Sequence, residues 1–284
     1  MISIIIVSYN VKDYLKKCIQ SIMKFSTNTS YEIIIIDNNS KDGSKEMLKK
    51  NFSNKINLIF NSENLGFAKA VNIGLRHSNG DFVLLVNPDT VFIENIADKL
   101  KKYIQENRKV GIVGCKVLNK DQTFQISSRR NFPYLHSLMF KLIGLSKCFP
   151  KNKFISSYNM TYLNENIISK NISISGACMM FKKKMIKNIG FFDERFFLYF
   201  EDTDFCFRAI KAGYKVVYYP EAQIIHHKGA SSKKNIADAK NYFDQSLLKF
   251  FKKYKHKYSF NFITLYILLA VILIRKNIRI LFNN

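Results

Sequence analysis

Three carboxylates fall in four positions at Glu201, Asp202 and Asp204, directly after a run in which Phe191, Phe192, Phe196, Phe197, Tyr199 and Phe200 place six aromatics within ten residues. Crowded carboxylates repel one another and lose hydration beside aromatic walls, which costs stability unless a metal, a cation or a reaction uses them. The following residues predict a helix over Asp202–Ala212, closed by Gly213. Asp202 at its start is either a favourable helix-end acid or an acid projected from a rigid element toward the pocket that the aromatics line.

Other polar residues stand where chemistry is possible. In Asn87-Pro88-Asp89, a carboxylate follows an apolar run with Pro setting the turn before it. Such an acid can hold a hard divalent cation (Mn²⁺ or Mg²⁺) against substrate phosphates; the same tripeptide also serves as a plain turn. Asp37 ends another apolar run, and either meets a ribose or base edge or caps the helix near Lys41. Asn64, Gly66 and Lys69 combine a flexible glycine, a helix start and a cation, a set that suits a diphosphate and equally an ordinary loop-to-helix junction. The pair Arg129-Arg130 either holds a lipid-linked diphosphate or is a solvated charge pair.

The elements that must position these residues alternate. Ser3–Ser8, Tyr31–Asp37, Ile56–Phe60, Asp81–Asn87 and Val110–Lys116 are short β-branched or apolar runs, separated by amphipathic Val11–Phe25, Lys41–Asn51, Phe67–His77 and Ile93–Asn107. That spacing predicts βαβ units, an α/β fold with a mostly parallel sheet covered by helices on both faces. Ligands in such sheets bind at the carboxyl ends of the strands. Ser8-Tyr9-Asn10, Asp37-Asn38-Asn39-Ser40 and Asn87-Pro88-Asp89 all stand there. There is no GxGxxG after the first strand and no GxxxxGK[ST], which argues against a standard dinucleotide fold and a Walker-type NTPase.

The chain of 284 residues, 47% hydrophobic and 23% charged, is long enough for a large core. Its net charge of +24 attracts polyanions. A basic nucleic-acid-binding protein is the rival this charge suggests, but no RNP-type aromatic strand or DNA-reading helix is present, so no nucleic-acid partner is expected. Five dispersed cysteines without a CxxC pair argue against a zinc module or disulfide framework and for a reducing compartment. No secretory signal is read at the N-terminus.

In order along residues 2 to 232, the blocks Ile5-Ile6-Val7-Ser8-Tyr9-Asn10, Ile36-Asp37-Asn38-Asn39-Ser40, Asn64-Leu65-Gly66-Phe67, Gly80-Asp81 through Asn87-Pro88-Asp89, Ser175-Gly176-Ala177-Cys178-Met179, Phe192-Asp193-Glu194-Arg195, Glu201-Asp202-Thr203-Asp204 and His226-His227-Lys228-Gly229-Ala230-Ser231 resemble family 2 glycosyltransferases of the GT-A, Rossmann-like fold, in particular rhamnosyltransferase-like members of bacterial surface-polysaccharide synthesis. The resemblance implies an inverting transfer from a nucleotide-sugar donor to a carbohydrate or lipid-linked acceptor. It implies that Ser8, Asn10 and Asp37 contact the nucleoside, that Asp89 is the remaining acid of a DXD metal motif whose first acid is here Asn87, that His226 (with His227 competing) is a further metal or diphosphate ligand, and that Asp202 is the catalytic base. Glu201, Asp204 and Arg129 are then acceptor-binding or supporting groups. The Asn87 replacement keeps open a second reading, a catalytically inactive sugar-nucleotide-binding module.

The expected organisation is a nucleotide-sugar-binding half (1–118), an insertion serving as lid or acceptor segment (119–171), a catalytic and acceptor half (172–235) and basic C-terminal helices (236–284). Within the last, Ile236–Tyr258 reads as a helix with a basic end, and Phe260–Ile274 is an apolar run with basic flanks. At 15 residues it falls short of the roughly 20 needed to span a bilayer. It is expected to lie at an anionic membrane surface, placing the protein in the cytoplasm, peripheral on the inner membrane face, or else to form a C-terminal core helix.

Overall fold

A computed structural model describes residues 1–26, 30–227, 236–256 and 266–273. The first half runs β1 (Ile2–Ser8), α1 (Lys12–Phe25), β2 (Tyr31–Asp37), α2 (Ser44–Phe52), β3 (Asn57–Phe60), α3 (Phe67–His77), β4 (Phe82–Val86), β5 (Thr90–Phe92), α4 (Ile96–Glu106) and β6 (Val110–Leu118). Next come β7 (Arg129–Arg130), α5 (Leu135–Leu142), α6 (Leu145–Cys148), β8 (Ser169–Lys170), β9 (Ser173–Ile174) and β10 (Cys178–Lys182). The chain continues through α7 (Ile186–Ile189), α8 (Glu201–Lys211), β11 (Lys215–His226) and α9 (Ile236–Lys253); a further helical segment covers 266–273.

β1 is β-branched almost throughout and buried along its whole length, as a central strand covered on both faces must be. Its side chains alternate between two cores. Ile5 and Val7 face α3, α8 and α9, whereas Ile4 and Ile6 face α1, α2 and α4. α1 buries Leu15, Cys18, Ile19 and Ile22, one stripe at helical spacing. Gly74 lets α3 sit directly on the sheet, since a Cβ there would come within 2.8 Å of both Ile5 and Ile36.

The main sheet runs β3-β2-β1-β4-β10-β6-β11-β5, with β8 beside β11. The five strands expected from sequence are all present, and β3, β2, β1 and β4 are mutually parallel. β10 enters antiparallel between β4 and β6, and β5 and β8 run antiparallel to β11. This makes the sheet mixed while keeping helices on both faces. The direction of β10 matters, because it brings the start of that strand beside the carboxyl end of β4.

α9 belongs to the core. Leu247, Phe250, Phe251 and Tyr254 are buried, Phe250 packs on Phe200 and Phe207, and each such phenylalanine contributes about 1.5–3 kcal/mol on burial. Among the described residues, no helix is long and apolar enough to cross a membrane. Of the apolar run 260–274, only 266–273 is described, with Leu268 buried.

Candidate active site

The register of β1 on β2 sets Ser8 opposite Asp37 at adjacent strand ends. Both are buried, and Ser8 Oγ and Asp37 Oδ2 lack a hydrogen-bond partner. Unsatisfied buried polar atoms are costly, so this pair suits a ligand edge that carries both a donor and an acceptor. The other Asp37 oxygen accepts from Ser40 N at 2.9 Å, so this carboxylate also caps the loop before α2. Asn10 is turned to the same loop: its Oδ1 accepts from Lys41 N at 2.7 Å and its own N donates to Ser40 Oγ at 2.9 Å. It holds the two strand-end loops together.

The start of α3 differs from the sequence expectation. Asn64 Oδ1 accepts from Gly66 N at 3.0 Å, and Phe67 N donates to the Phe197 carbonyl at 2.7 Å. Two of the N–H groups that suited a diphosphate are thereby occupied, and Lys69 stands exposed on the first turn. Gly66 adopts φ +78, and a Cβ there would meet the Phe197 carbonyl oxygen at 2.6 Å. Glycine is required by that close approach, which draws the aromatic segment onto α3.

Beyond β4, Asp89 is buried and its Oδ1 lies 3.0 Å from His226 Nε2. Pairing of β11 with β5 sets His226 opposite Thr90 and accounts for the meeting across the chain. His226 Nδ1 lies 2.8 Å from Gln125 Oε1, an acceptor, so Nδ1 donates and the ring turns Nε2 to the carboxylate. Asn87 Nδ2 is 3.4 Å from the same nitrogen. Among the described residues, no group of three or more His, Cys, Asp or Glu is gathered; a divalent ion held partly by substrate phosphates needs only one or two protein carboxylates. Asp89 and His226, oriented by Gln125, therefore fit Mn²⁺ or Mg²⁺.

Asp202 is the second residue of α8 and is buried. Arg130 Nη2 donates to its Oδ2 at 2.7 Å, Gly176 N to the same oxygen at 3.1 Å, and Thr203 N to Oδ1 at 2.6 Å. Burial works against the Arg130 charge, yet the Asp202 carboxylate holds the guanidinium protonated beyond its ordinary range. The next residue along, Ala177, accepts through its carbonyl from Asn87 N at 3.1 Å. Gly176 and Ala177, just ahead of β10, thus join Asp202 to the Asn87-Pro88-Asp89 turn, and Ser8, Asp37, Asp89, His226 and Asp202 gather at one end of the sheet. The corner before α8 is strained: Tyr199 and Phe200 adopt φ +67 and +66, a conformation costing about 1–3 kcal/mol each. Packing of both rings against Phe243 of α9 holds it.

The neighbouring acids divide. Burial, reinforced by the Asp202 charge, pushes Glu201 up to about 8, and its Oε2 has no partner. At neutral pH it is therefore held as a neutral acid. Asp204 is turned away from the site, into α9. It accepts from Arg208 Nε at 2.8 Å, Tyr254 Oη at 2.6 Å and the Lys253 ammonium, so it anchors the helix and does not meet an acceptor. Arg129 is corrected likewise. Alternation along β7 sends it inward, where it donates to the Leu163 and Asn164 carbonyls at 2.9 and 3.0 Å and lies over the Tyr218 ring at 4.7 Å. Arg130 takes the site-facing position. Gln125 carried no sequence signal, because its partner lies 101 positions away.

The family model described as Glycosyl transferase family 2 matches residues 3–190. An N-acetylglucosaminyl-diphospho-decaprenol L-rhamnosyltransferase of Mycobacterium tuberculosis is 25% identical over 244 residues, covering 82% of this chain and 78% of that protein. The rhamnosyltransferase WbbL of Escherichia coli is 26% identical over 237 residues, covering 80% and 83%. Among solved structures, the mannosyltransferase PcManGT from Pyrobaculum calidifontis, in complex with GDP-Man and Mn²⁺, superposes with a TM-score of 0.60 at 16% identity over 98% of this chain and 74% of that one. This likeness shows the fold, the GT-A arrangement.

Proposed function

Because the chain belongs to glycosyl transferase family 2, we propose that it moves a hexosyl group, with rhamnosyl the first candidate, from a nucleoside-diphosphate-sugar to a lipid-linked carbohydrate acceptor, with inversion, in cell-surface polysaccharide synthesis. The observation that carries this reading is the short path from Asp202 through Gly176 and Ala177 to the Asn87-Pro88-Asp89 turn, which sets a buried carboxylate beside a pair suited to a cation.

In this reading Asp202 accepts the proton of the acceptor hydroxyl as its oxygen attacks the anomeric carbon. The bond to the nucleoside diphosphate breaks on the opposite face. The leaving group departs as an anion, so no second carboxylic acid is needed to protonate it, unlike in a glycosidase. Asp89 and His226 would hold the divalent cation, which when bound neutralises charge developing on the diphosphate. Ser8 and Asp37 would bind the nucleoside through the polar atoms that the fold leaves unpaired. The names of the two rhamnosyltransferases support the sugar, and that of the mycobacterial protein supports a lipid-diphosphate acceptor.

The test is a donor screen with purified protein, scored by nucleoside diphosphate release with polyprenyl-diphosphate-linked N-acetylglucosamine as acceptor. Transfer that depends on Asp202 is the expected result. No release from any thymidine-, uridine- or guanosine-linked sugar would overturn the reading.

A further inference from the structure

Residues 122–164 contain six Lys or Arg and no Asp or Glu. Arg129 and Arg130 are directed inward, and Lys141 lies over the Tyr158 ring at 4.3 Å. Lys147, Lys151 and Lys153 stand exposed on and after α6. The same stretch exposes large apolar side chains: Ile143 is 60% exposed, Phe149 51% and Phe154 61%.

Several of these side chains are joined through α5 and the turn that follows it. His136, Phe140 and Ile143 follow the i, i+4, i+7 spacing of α5 and its C-cap, and so share a face. The Phe154 ring stacks on His136 at 5.0 Å and meets Phe140 edge-on at 5.5 Å. Phe149 is held to the same turn, because Ser156 Oγ donates to its carbonyl at 2.8 Å and to that of Ser146 at 3.2 Å. Contiguous exposed apolar side chains rimmed by polar ones mark an interaction site. Here the rim is basic and the whole stretch free of acids, which sets the sign of the partner.

We propose that this face, built from Ile143, Phe149 and Phe154 with Lys147, Lys151 and Lys153, docks on an anionic phospholipid bilayer. The apolar side chains enter the headgroup boundary and the ammonium groups meet lipid phosphates. α5 begins five residues after Arg130, whose guanidinium holds Asp202, so the docking segment is joined by a short run of chain to the residue that orients the candidate base, which would serve a lipid-linked acceptor. That benefit rests on the proposed function; the docking itself does not.

The experiment is flotation of the full chain with phosphatidylcholine vesicles, with and without phosphatidylglycerol. The wild type should float with the anionic vesicles alone and detach as salt rises. At roughly fivefold per lysine near an anionic surface, the triple variant Lys147→Glu, Lys151→Glu, Lys153→Glu should lose about a hundredfold in partitioning. The separate variant Ile143→Ser, Phe149→Ser, Phe154→Ser should lose a similar factor, with melting temperatures kept in both. Flotation of both variants equal to wild type would overturn the proposal. So would a wild type that ignores anionic vesicles and instead forms a dimer that these substitutions dissolve. Transfer to a water-soluble acceptor analogue should survive in both variants. Its absence in the wild type would sink the functional reading and leave the flotation result standing.

Discussion

Arg130 and Asp202 form a partly buried ion pair, Nη2 to Oδ2 at 2.7 Å, between the insertion and the first turn of α8. The guanidinium occupies one oxygen of the candidate base and fixes the orientation of the other. Misplacing a catalytic group by about 1 Å can cost about a hundredfold in rate, so Arg130→Met should lower kcat by about that factor, with Arg130→Lys recovering part of it. Donor nucleotide binding, at the far strand ends, should be unchanged. Equal kcat in all three proteins would remove Arg130 as a positioning residue.

Asp202→Asn keeps the shape and the Thr203 contacts while deleting the proton acceptor. A general base contributes about 10²–10⁴-fold, so transfer should fall by that range, while calorimetry reads the same affinity for the nucleoside diphosphate. Transfer near the wild-type rate would assign the base elsewhere.

Gln125 fixes which His226 nitrogen faces Asp89. Replacing such an orienting partner weakens metal binding about 10–100-fold. Gln125→Leu should therefore shift the Mn²⁺ titration, read with nucleoside diphosphate present, by that factor, and Asp89→Asn should shift it further. An unshifted curve for both would count against cation binding at this pair.

Glu201, pushed up to about 8 by burial and by Asp202, binds its proton more tightly in the folded chain than in the unfolded one. Its contribution to stability is fully present below the ordinary carboxyl range and is lost as pH rises through about 8. Glu201→Gln is neutral at every pH and should remove that loss. Between about pH 5 and about pH 9, the wild-type Tm should drop relative to the variant by several degrees. Parallel Tm profiles would show that Glu201 is ionised when folded.

Asp204 is fully buried among Arg208, Lys253 and Tyr254. Breaking a buried charge cluster by removing one partner costs about 3–5 kcal/mol. Asp204→Ala should reduce unfolding free energy in urea by about that amount. A loss under 1 kcal/mol would mean the cluster is solvated.

The chain order alone determined the sheet-forming runs, the helices between them and the polar residues at strand ends, because β-branched runs and helical apolar spacing act over a few residues. Phe67–His77 and Tyr31–Asp37 appear in the structure with the same bounds. Tertiary structure decided what each side chain meets. Adjacent residues of an extended strand point to opposite faces, so whether Arg129 or Arg130 reaches Asp202 depended on how β7 pairs with β9, which no local pattern records. The antiparallel entry of β10, the Gln125–His226 contact and the turn of Asp204 into α9 arise the same way, from segments far apart in sequence and joined by packing.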